Sequence, residues 1–117
     1  MRRDPRALLW DAREAALAIA AFVEGRTIEE YLADRMLRSA VERQCEIIGE
    51  ALNPLRAVAP GIAASVPDLR RAVAFRNLLI HGYAAVDDRV VWRTITEDMP
   101  RLSAALSMRL AEGEGGA

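Results

Sequence analysis

Apolar residues recur every three or four positions along most of the chain, and this spacing predicts four α-helices. The first helix begins with Asp4 as its N-cap and Pro5 in its first turn, and Gly25 ends it. Thr27 and Glu30 have the spacing of a capping box, which opens a long second helix. The sequence has no internal repeat and no strand-like alternation longer than a few residues. It therefore predicts an all-α fold.

Prolines and aspartates mark the expected ends of the later helices. Asn53-Pro54 should end or kink the second helix, and Pro60-Gly61 should end it. Ser65 can cap the third helix, and one residue of Asp87-Asp88 can cap the fourth. Pro100 predicts a kink inside the fourth helix. Four helices with short connections predict an up-down four-helix bundle.

Length and composition fit one helical domain, which we place at residues 1–111, followed by a disordered tail over residues 112–117. Cys45 is the single cysteine, so an internal disulfide is excluded, and its helical setting predicts a small buried apolar residue. With one histidine and one cysteine an ordinary zinc site is also excluded, and we expect no metal or cofactor. No signal peptide or membrane-spanning run is visible, so we expect a cytoplasmic protein.

The charge balance gives no global attraction for nucleic acid, because the formal net charge is −1. All 16 basic residues are arginines. Genome composition can produce this bias, although guanidinium groups also suit bidentate contacts with phosphate. If RNA binds, the positive surface must be local, for example where two chains meet.

Polar groups are concentrated near the end of the third helix, in the segment Arg76–Tyr83, which holds the only histidine. On a continuous helix, residues five positions apart point about 140° apart. Arg76 and His81 can therefore face one site only if the helix ends near Ile80 or His81. Gly82 is placed to end it, and the imidazole would then project where the backbone turns.

Arg76, His81 and Tyr83 form an Arg-x4-His-x-Tyr motif that resembles the signature of the HEPN superfamily, and specifically its HepT-like toxin branch. The similarity also includes Val41–Ala51 in the second helix and the residues of the last helix, and it covers nearly the whole chain. The clear departure is at Gly61–Val66, where relatives usually carry an Ile-Pro-Trp-like turn.

This resemblance implies a homodimeric, all-α, up-down four-helix bundle of HEPN type, with Arg76 and His81 acting in a cleft between the subunits. It also implies a metal-independent endoribonuclease toxin that leaves a 2′,3′-cyclic phosphate and a 5′-hydroxyl. The residue types suit that chemistry, because an imidazole transfers protons near neutral pH and a guanidinium stabilises a pentavalent phosphate. Since an acid and a base are both needed, a dimer would supply the second imidazole.

A homodimer is also expected from the second helix, on which Met36, Ala40, Cys45 and Ile47 widen the apolar face beyond a simple stripe. A helix that is apolar on most sides needs a second partner. The alternative is that these residues fill the core of a monomer.

Tyr83 and Asn77 each have two interpretations. A tyrosine after a helix end ordinarily packs its ring and hydrogen-bonds its hydroxyl. By the resemblance, Tyr83 is the residue to which a cognate MntA-type nucleotidyltransferase antitoxin attaches AMP, which would block the cleft and pair with Arg76. Asn77 either orients groups or binds phosphate, as the resemblance implies, or is a plain surface residue.

Glu42, Glu46 and Glu50 repeat every four residues along the second helix. The ordinary interpretation is a solvated face with intrahelical ion pairs. The sharper hypothesis is that one of these three orients Arg76 or His81, with Glu42 and Glu46 as the preferred supporting residues. Asp87-Asp88 could suggest a metal pair, but helix capping explains these residues better.

The sequence therefore supports two main hypotheses. The first is an RNA-cleaving toxin in which modified Tyr83 is the inactive form. The second is a non-catalytic helical partner of a nucleotidyltransferase that holds nucleotide or substrate. A plain dimerisation module is a third class, in which Arg76 and His81 could vary without effect.

Overall fold

A computed structural model describes the backbone of residues 4–115 and the side chains of residues 4–112. Within these residues the chain is all-helical, without strands, as predicted. A 3-10 turn and a π-helical segment join the α-helices near the end of the chain. The elements are α1 (Pro5–Val23), α2 (Ile28–Ala33), α3 (Arg35–Val58), α4 (Pro60–Ser65), α5 (Leu69–His81), the 3-10 turn (Tyr83–Ala85), α6 (Asp88–Arg93), the π segment (Thr94–Asp98) and α7 (Met99–Gly115).

The first two helices begin as the sequence predicts. The Asp4 carboxylate accepts a hydrogen bond of 2.9 Å from the Arg6 backbone N–H. The Thr27 hydroxyl accepts from the Glu30 N–H at 3.2 Å, and the Glu30 carboxylate accepts from the Thr27 N–H at 2.9 Å. This is the reciprocal capping box, and it satisfies two donors that a helix start otherwise leaves unpaired.

The long second helix is interrupted at Asp34, so the prediction of one continuous helix is wrong there. Asp34 has an extended backbone, with φ −109° and ψ 96°, between α2 and α3. Its carboxylate accepts from the Leu37 N–H at 3.0 Å and thereby caps α3. An aspartate inside a helical pattern can offer the backbone this alternative bond. Pro54, in contrast, does not end α3, which continues to Val58.

The entry to the motif helix also differs from the expectation. Ser65 is the last residue of α4, and its hydroxyl donates to the Ile62 carbonyl at 2.7 Å, so it does not cap α5. The N-cap of α5 is Asp68, in the left-handed conformation with φ 60°. Its carboxylate makes no cap hydrogen bond and is bonded to Arg101 instead.

The last part of the chain follows the predicted cap, and its helix is irregular just before Pro100. Asp87 caps α6 by accepting from the Arg89 N–H at 2.9 Å. The irregularity precedes Pro100 as the π segment, which widens the helix next to a residue that lacks an N–H. The backbone is helical through Gly115, where a tail was expected from residue 112, and residues 116–117 lie outside the described part.

Helix α3 is the centre of the fold and packs against both α1 and α5, while α7 closes on α1. The largest fully buried side chains come from all parts of this arrangement: Tyr31, Leu8, Ile19, Ile48, Leu52, Leu55 and Leu106. The Tyr31 and Trp92 rings pack with their centroids 5.3 Å apart. Cys45 is buried as predicted, and desolvation raises the pKa of its thiol to about 12.

The bundle topology and the homodimer stay predictions. No helix among the described residues is long and apolar enough to cross a bilayer.

Candidate functional site

The motif helix α5 lies directly on α3 at Gly49. A Cβ atom at this glycine would overlap the Arg76 Cβ and would come within 2.8 Å of the Arg76 Cγ and 3.1 Å of the Ala72 carbonyl oxygen. Only a hydrogen atom fits there. The missing side chain therefore lets the two helices approach and lets the stem of Arg76 lie in the seam between them.

Sequence reasoning did not identify Gly49 as a site residue, although a signal was present. A glycine inside a long helix costs about 1 kcal/mol relative to alanine, so it often marks a close backbone approach. The sequence does not reveal which residue approaches Gly49, because Arg76 is far away along the chain.

The Arg76 guanidinium is held by two polar partners at the edge of this seam. Its Nη1 donates to the Asn77 Oδ1 at 3.1 Å, and its Nη2 lies 4.0 Å from the Glu50 Oε1. Its Nε is buried without an acceptor, while the side chain as a whole is 30% exposed. Arg76 is therefore a partly buried cation whose outer nitrogen atoms are fixed in direction and still reachable.

Among the three glutamates of the predicted ridge, Glu50 is the one that reaches Arg76. Glu46 instead pairs with Arg43 at 3.2 Å, and Arg43 is also 3.5 Å from Glu50. The structure thus brings neither Glu46 nor Glu42 to Arg76. Proximity to the arginine depends on where α5 crosses α3, which four-residue spacing alone does not reveal.

Glu42 belongs to a different cluster, where α2, α3 and α6 meet. Burial and the negative charge of Asp88 raise the pKa of the Glu42 carboxyl, while Arg38 opposes the shift. Arg38 Nε lies 3.5 Å from the Asp88 Oδ2 and ties α3 to α6. Burial, followed by the charge of Glu42, raises the pKa of Tyr31, whose buried hydroxyl has no hydrogen-bond partner.

His81 is the last residue of α5 and is exposed, which agrees with the predicted helix end. The Gly82 N–H donates to the Leu78 carbonyl at 2.8 Å and closes the helix. Gly82 has φ −120°, so the helix ends without the left-handed residue that often follows a C-terminus. Asn77 and His81 are four residues apart and share one helix face, so the bond to Asn77 turns Arg76 toward that face.

Tyr83 lies in the 3-10 turn just after the helix and is 70% exposed. Its hydroxyl has no hydrogen-bond partner in the described part of the chain. It therefore does not behave as a packed structural tyrosine, which is the role that Tyr31 has in the core. The phenol is open to a partner that approaches the end of α5.

Apolar side chains surround the motif on the surface. Leu78, Ile80 and Val90 are 38%, 40% and 44% exposed. Leu78 and Val90 also line a cleft of about 360 Å³ beside α5, together with Phe75 and Met99. Large apolar groups that are exposed together mark an interaction surface more often than scattered ones do.

No group of three or more His, Cys, Asp or Glu side chains within residues 4–112 is arranged to hold a metal ion. The acidic pair considered in the sequence has other partners. Asp87 caps α6, and Asp88 lies 3.5 Å from the Arg38 guanidinium.

Comparison with known proteins identifies the family. The profile of the family described as Ribonuclease HepT-like matches residues 12–108, which include Arg76, His81 and Tyr83. The chain belongs to this HepT-like ribonuclease family.

Two archaeal relatives align over most of both chains. A protein of Thermococcus cleftensis named "probable ribonuclease HepT" is 36% identical over 102 residues, which cover 87% of this chain and 92% of the relative. A protein of Methanocaldococcus jannaschii named as a candidate RNase is 33% identical over 105 residues, covering 86% of this chain and 92% of the relative. No solved structure matches this HepT-like chain with significance.

Proposed function

We propose that this HepT-like protein is a metal-independent endoribonuclease and the toxin of a toxin–antitoxin pair, with Arg76 and His81 as its catalytic residues. One observation carries the proposal: Arg76 is seated against Gly49 and directed by Asn77 toward the helix face that presents His81. The naming of a relative as a ribonuclease supports the reaction class.

The reaction follows from these two side chains. The ribose 2′-oxygen attacks the adjacent phosphorus, so that a 2′-O–P bond forms and the P–O5′ bond breaks. His81 accepts the proton of the 2′-hydroxyl or donates a proton to the leaving 5′-oxygen. Arg76 stabilises the negative charge of the pentavalent phosphate, while Asn77 fixes the guanidinium. The products carry a 2′,3′-cyclic phosphate and a 5′-hydroxyl.

A homodimer would complete the site, because one imidazole does not serve as acid and base at the same moment. The exposed apolar side chains beside the motif, Leu78, Ile80 and Val90, support a subunit contact at this surface. Such a contact would bring two guanidiniums and two imidazoles to one cleft. It would also concentrate positive charge locally in a chain whose net charge is −1.

The test is RNA cleavage by the purified protein beside His81→Ala and Arg76→Ala. Each variant should cleave at least 100-fold more slowly, because general acid–base and oxyanion-type contributions have about this size. Circular dichroism should show that both remain helical. Full cleavage by both variants would reject the assigned roles, and product ends other than a cyclic phosphate and a 5′-hydroxyl would reject the mechanism.

Tyr83 is the proposed control point. A nucleotidyltransferase antitoxin would transfer AMP to its hydroxyl and thereby silence the ribonuclease. The phenolic oxygen would attack the α-phosphorus of ATP and release pyrophosphate. Its 70% exposure and unpaired hydroxyl support access by such an enzyme. The added phosphate would pair with Arg76 and occupy the position of the RNA.

Intact mass after incubation with the antitoxin and ATP tests this control. The wild type should gain one or more AMP units, Tyr83→Phe should gain none, and Tyr31→Phe should behave as the wild type because Tyr31 is buried. An AMP gain that persists in Tyr83→Phe would place the modification elsewhere.

The second candidate is a non-catalytic partner subunit that holds nucleotide or substrate for a nucleotidyltransferase. The exposed Tyr83 turn is compatible with this docking role as well. The cleavage assay separates the two, because a docking subunit would bind its partner without cutting RNA.

A further inference from the structure

A second cleft, separate from the motif, lies where α4 meets the start of α5. Its volume is about 530 Å³. Arg56 from the end of α3 and Arg70 and Arg71 from the first turn of α5 line it, and the apolar walls include Pro60 and Leu69. The cleft thus combines three guanidinium groups with an apolar surface.

Two of the three positive charges of this cleft have no counter-charge among the described residues. Arg56 and Arg70 have no ion-pair or hydrogen-bond partner within the described part of the chain. The one acidic residue of the lining is Asp68, and its carboxylate is bonded to Arg101 and lies 3.5 Å from Arg71. These ion pairs leave Arg56 and Arg70 as the cations available to a ligand.

Several other arginines in the described part of the chain do have partners. Arg43 pairs with two glutamates, Arg38 pairs with Asp88, and Arg109 bonds to Ser65 and Glu112. Two unpaired arginines that line one cleft therefore mark a local positive site in a chain of net charge −1.

Helix geometry connects this cleft to the motif. Arg70, Ala74, Asn77 and His81 are all exposed and occupy positions i, i+4, i+7 and i+11 of α5, so they form one stripe. Eleven residues of α-helix span roughly 16 Å, which separates Arg70 from His81 along the axis. No acidic residue interrupts the stripe.

We propose that the cleft of Arg56 and Arg70 binds a backbone phosphate of single-stranded RNA at a distance from the bond that is cut. This inference rests on the proposed ribonuclease function and adds the path of the substrate. A guanidinium matches a phosphate in a bidentate geometry, and two of them around one cleft can hold it from both sides. The strand would run along the α5 stripe from this cleft to His81.

The experiment measures binding without cleavage, in a His81→Ala background. The ligand is a 5′-fluorescent single-stranded RNA, and its affinity is followed by anisotropy across a series of salt concentrations. A phosphate contact on a single strand contributes about 0.7 to the slope of log affinity against log salt. Replacing both arginines, as Arg56→Gln with Arg70→Gln, removes this one contact and should therefore lower the slope by about 0.7 and weaken binding at least fivefold at low salt.

The matched control is Arg35→Gln, because Arg35 is also exposed and without a partner within the described residues, at the opposite end of α3. It should leave affinity and slope unchanged. The Arg56→Lys and Arg70→Lys pair should restore the slope. In the presence of His81, the double glutamine variant should need more RNA for half-maximal cleavage and keep the same maximal rate.

The outcomes separate this inference from the proposed function. If the wild type cuts RNA and the double glutamine variant binds RNA with unchanged affinity and slope, the inference is wrong and the ribonuclease stands. An equal loss in Arg35→Gln would also overturn it, because the effect would then be one of general surface charge. If the wild type does not cut RNA but the slope falls as expected, the phosphate site stands and the ribonuclease fails.

Discussion

At the scale of single residues, the position of Arg76 depends on the lack of a side chain at Gly49. The Gly49 hydrogen faces the stem of Arg76, and the Glu50 carboxylate and the Asn77 carboxamide meet the other end of the same side chain. A cation with a buried Nε has few orientations left, so its charge is directed before any substrate arrives. Such preorganisation is what electrostatic stabilisation of a transition state requires.

Gly49→Ala should therefore damage activity more than stability. The new methyl group overlaps the Arg76 stem, so the side chain or α5 must move, at a cost of about 1–3 kcal/mol in the free energy of unfolding. A displacement of about 1 Å at a catalytic group can reduce the rate about 100-fold. Cleavage assays and urea denaturation would measure the two effects.

Gly61→Ala is the matched control, because a Cβ there meets no atom within 4 Å. Gly61→Ala should keep full cleavage activity. Its free energy of unfolding should rise by up to about 1 kcal/mol, because alanine replaces glycine in a helix. Wild-type cleavage by Gly49→Ala would contradict the assigned role of this contact.

At the scale of elements, α3 is the central helix of the fold although it contains a proline. Pro54 lies inside this helix, so the Glu50 carbonyl lacks the N–H that the fourth following residue normally supplies. The helix continues because Leu52 and Leu55, on either side of the proline, are fully buried. Tertiary packing thus offsets the local cost of the proline, which is why the helix continues where the sequence predicted an end or a kink.

Pro54→Ala should raise the free energy of unfolding by about 2 kcal/mol. The lost hydrogen bond and ring clash cost about 3 kcal/mol, and the stiffness of proline in the unfolded chain returns about 0.4–1 kcal/mol of that. Urea denaturation of both proteins measures the difference.

Asn53→Ala, at the exposed neighbouring position, controls for helix propensity. This substitution should raise the free energy of unfolding by less than about 0.7 kcal/mol. A Pro54→Ala protein that is less stable than the wild type would show that the proline fits α3 without cost.

At the scale of the whole molecule, the surface around His81 exposes both the polar side chains of the motif and large apolar side chains. His81 and Tyr83 are exposed beside Leu78 and Ile80, a combination that an isolated chain leaves open to water. A second copy on this surface would bury the apolar groups and pair the two motifs. The proposed catalysis thus depends on assembly as well as on the fold of one chain.

Ile80→Glu should convert the expected dimer into a monomer, because the expected contact would have to bury a charged carboxylate in place of an apolar side chain. Light scattering coupled to size exclusion would show the change in mass, and cleavage should fall with it. Leu17→Glu, at a 46% exposed position of α1, should leave both unchanged. A wild type that is monomeric and cleaves RNA at full rate would remove the need for a second subunit.

The sequence predicted those features that depend on neighbours within a turn or two. The caps at Asp4, Thr27 and Asp87 and the helix end at His81 are confirmed, since each is fixed by hydrogen bonds within a few residues. The Asp34 break is also local, but aspartate is tolerated inside helices although it favours caps, so the apolar pattern on both sides did not reveal the break.

Taken alone, the sequence determined an all-α chain and a motif with the residue types for RNA cleavage, because periodicity and side-chain chemistry are written in order along it. Only the tertiary structure decided that Gly49 receives Arg76, that Glu50 and not Glu42 or Glu46 lies beside it, and that Arg56 shares a cleft with Arg70. Each of these pairs joins a residue of α3 to a residue of α5. Their partners are set by how two helices cross, and helix crossing depends on the packing of the entire core.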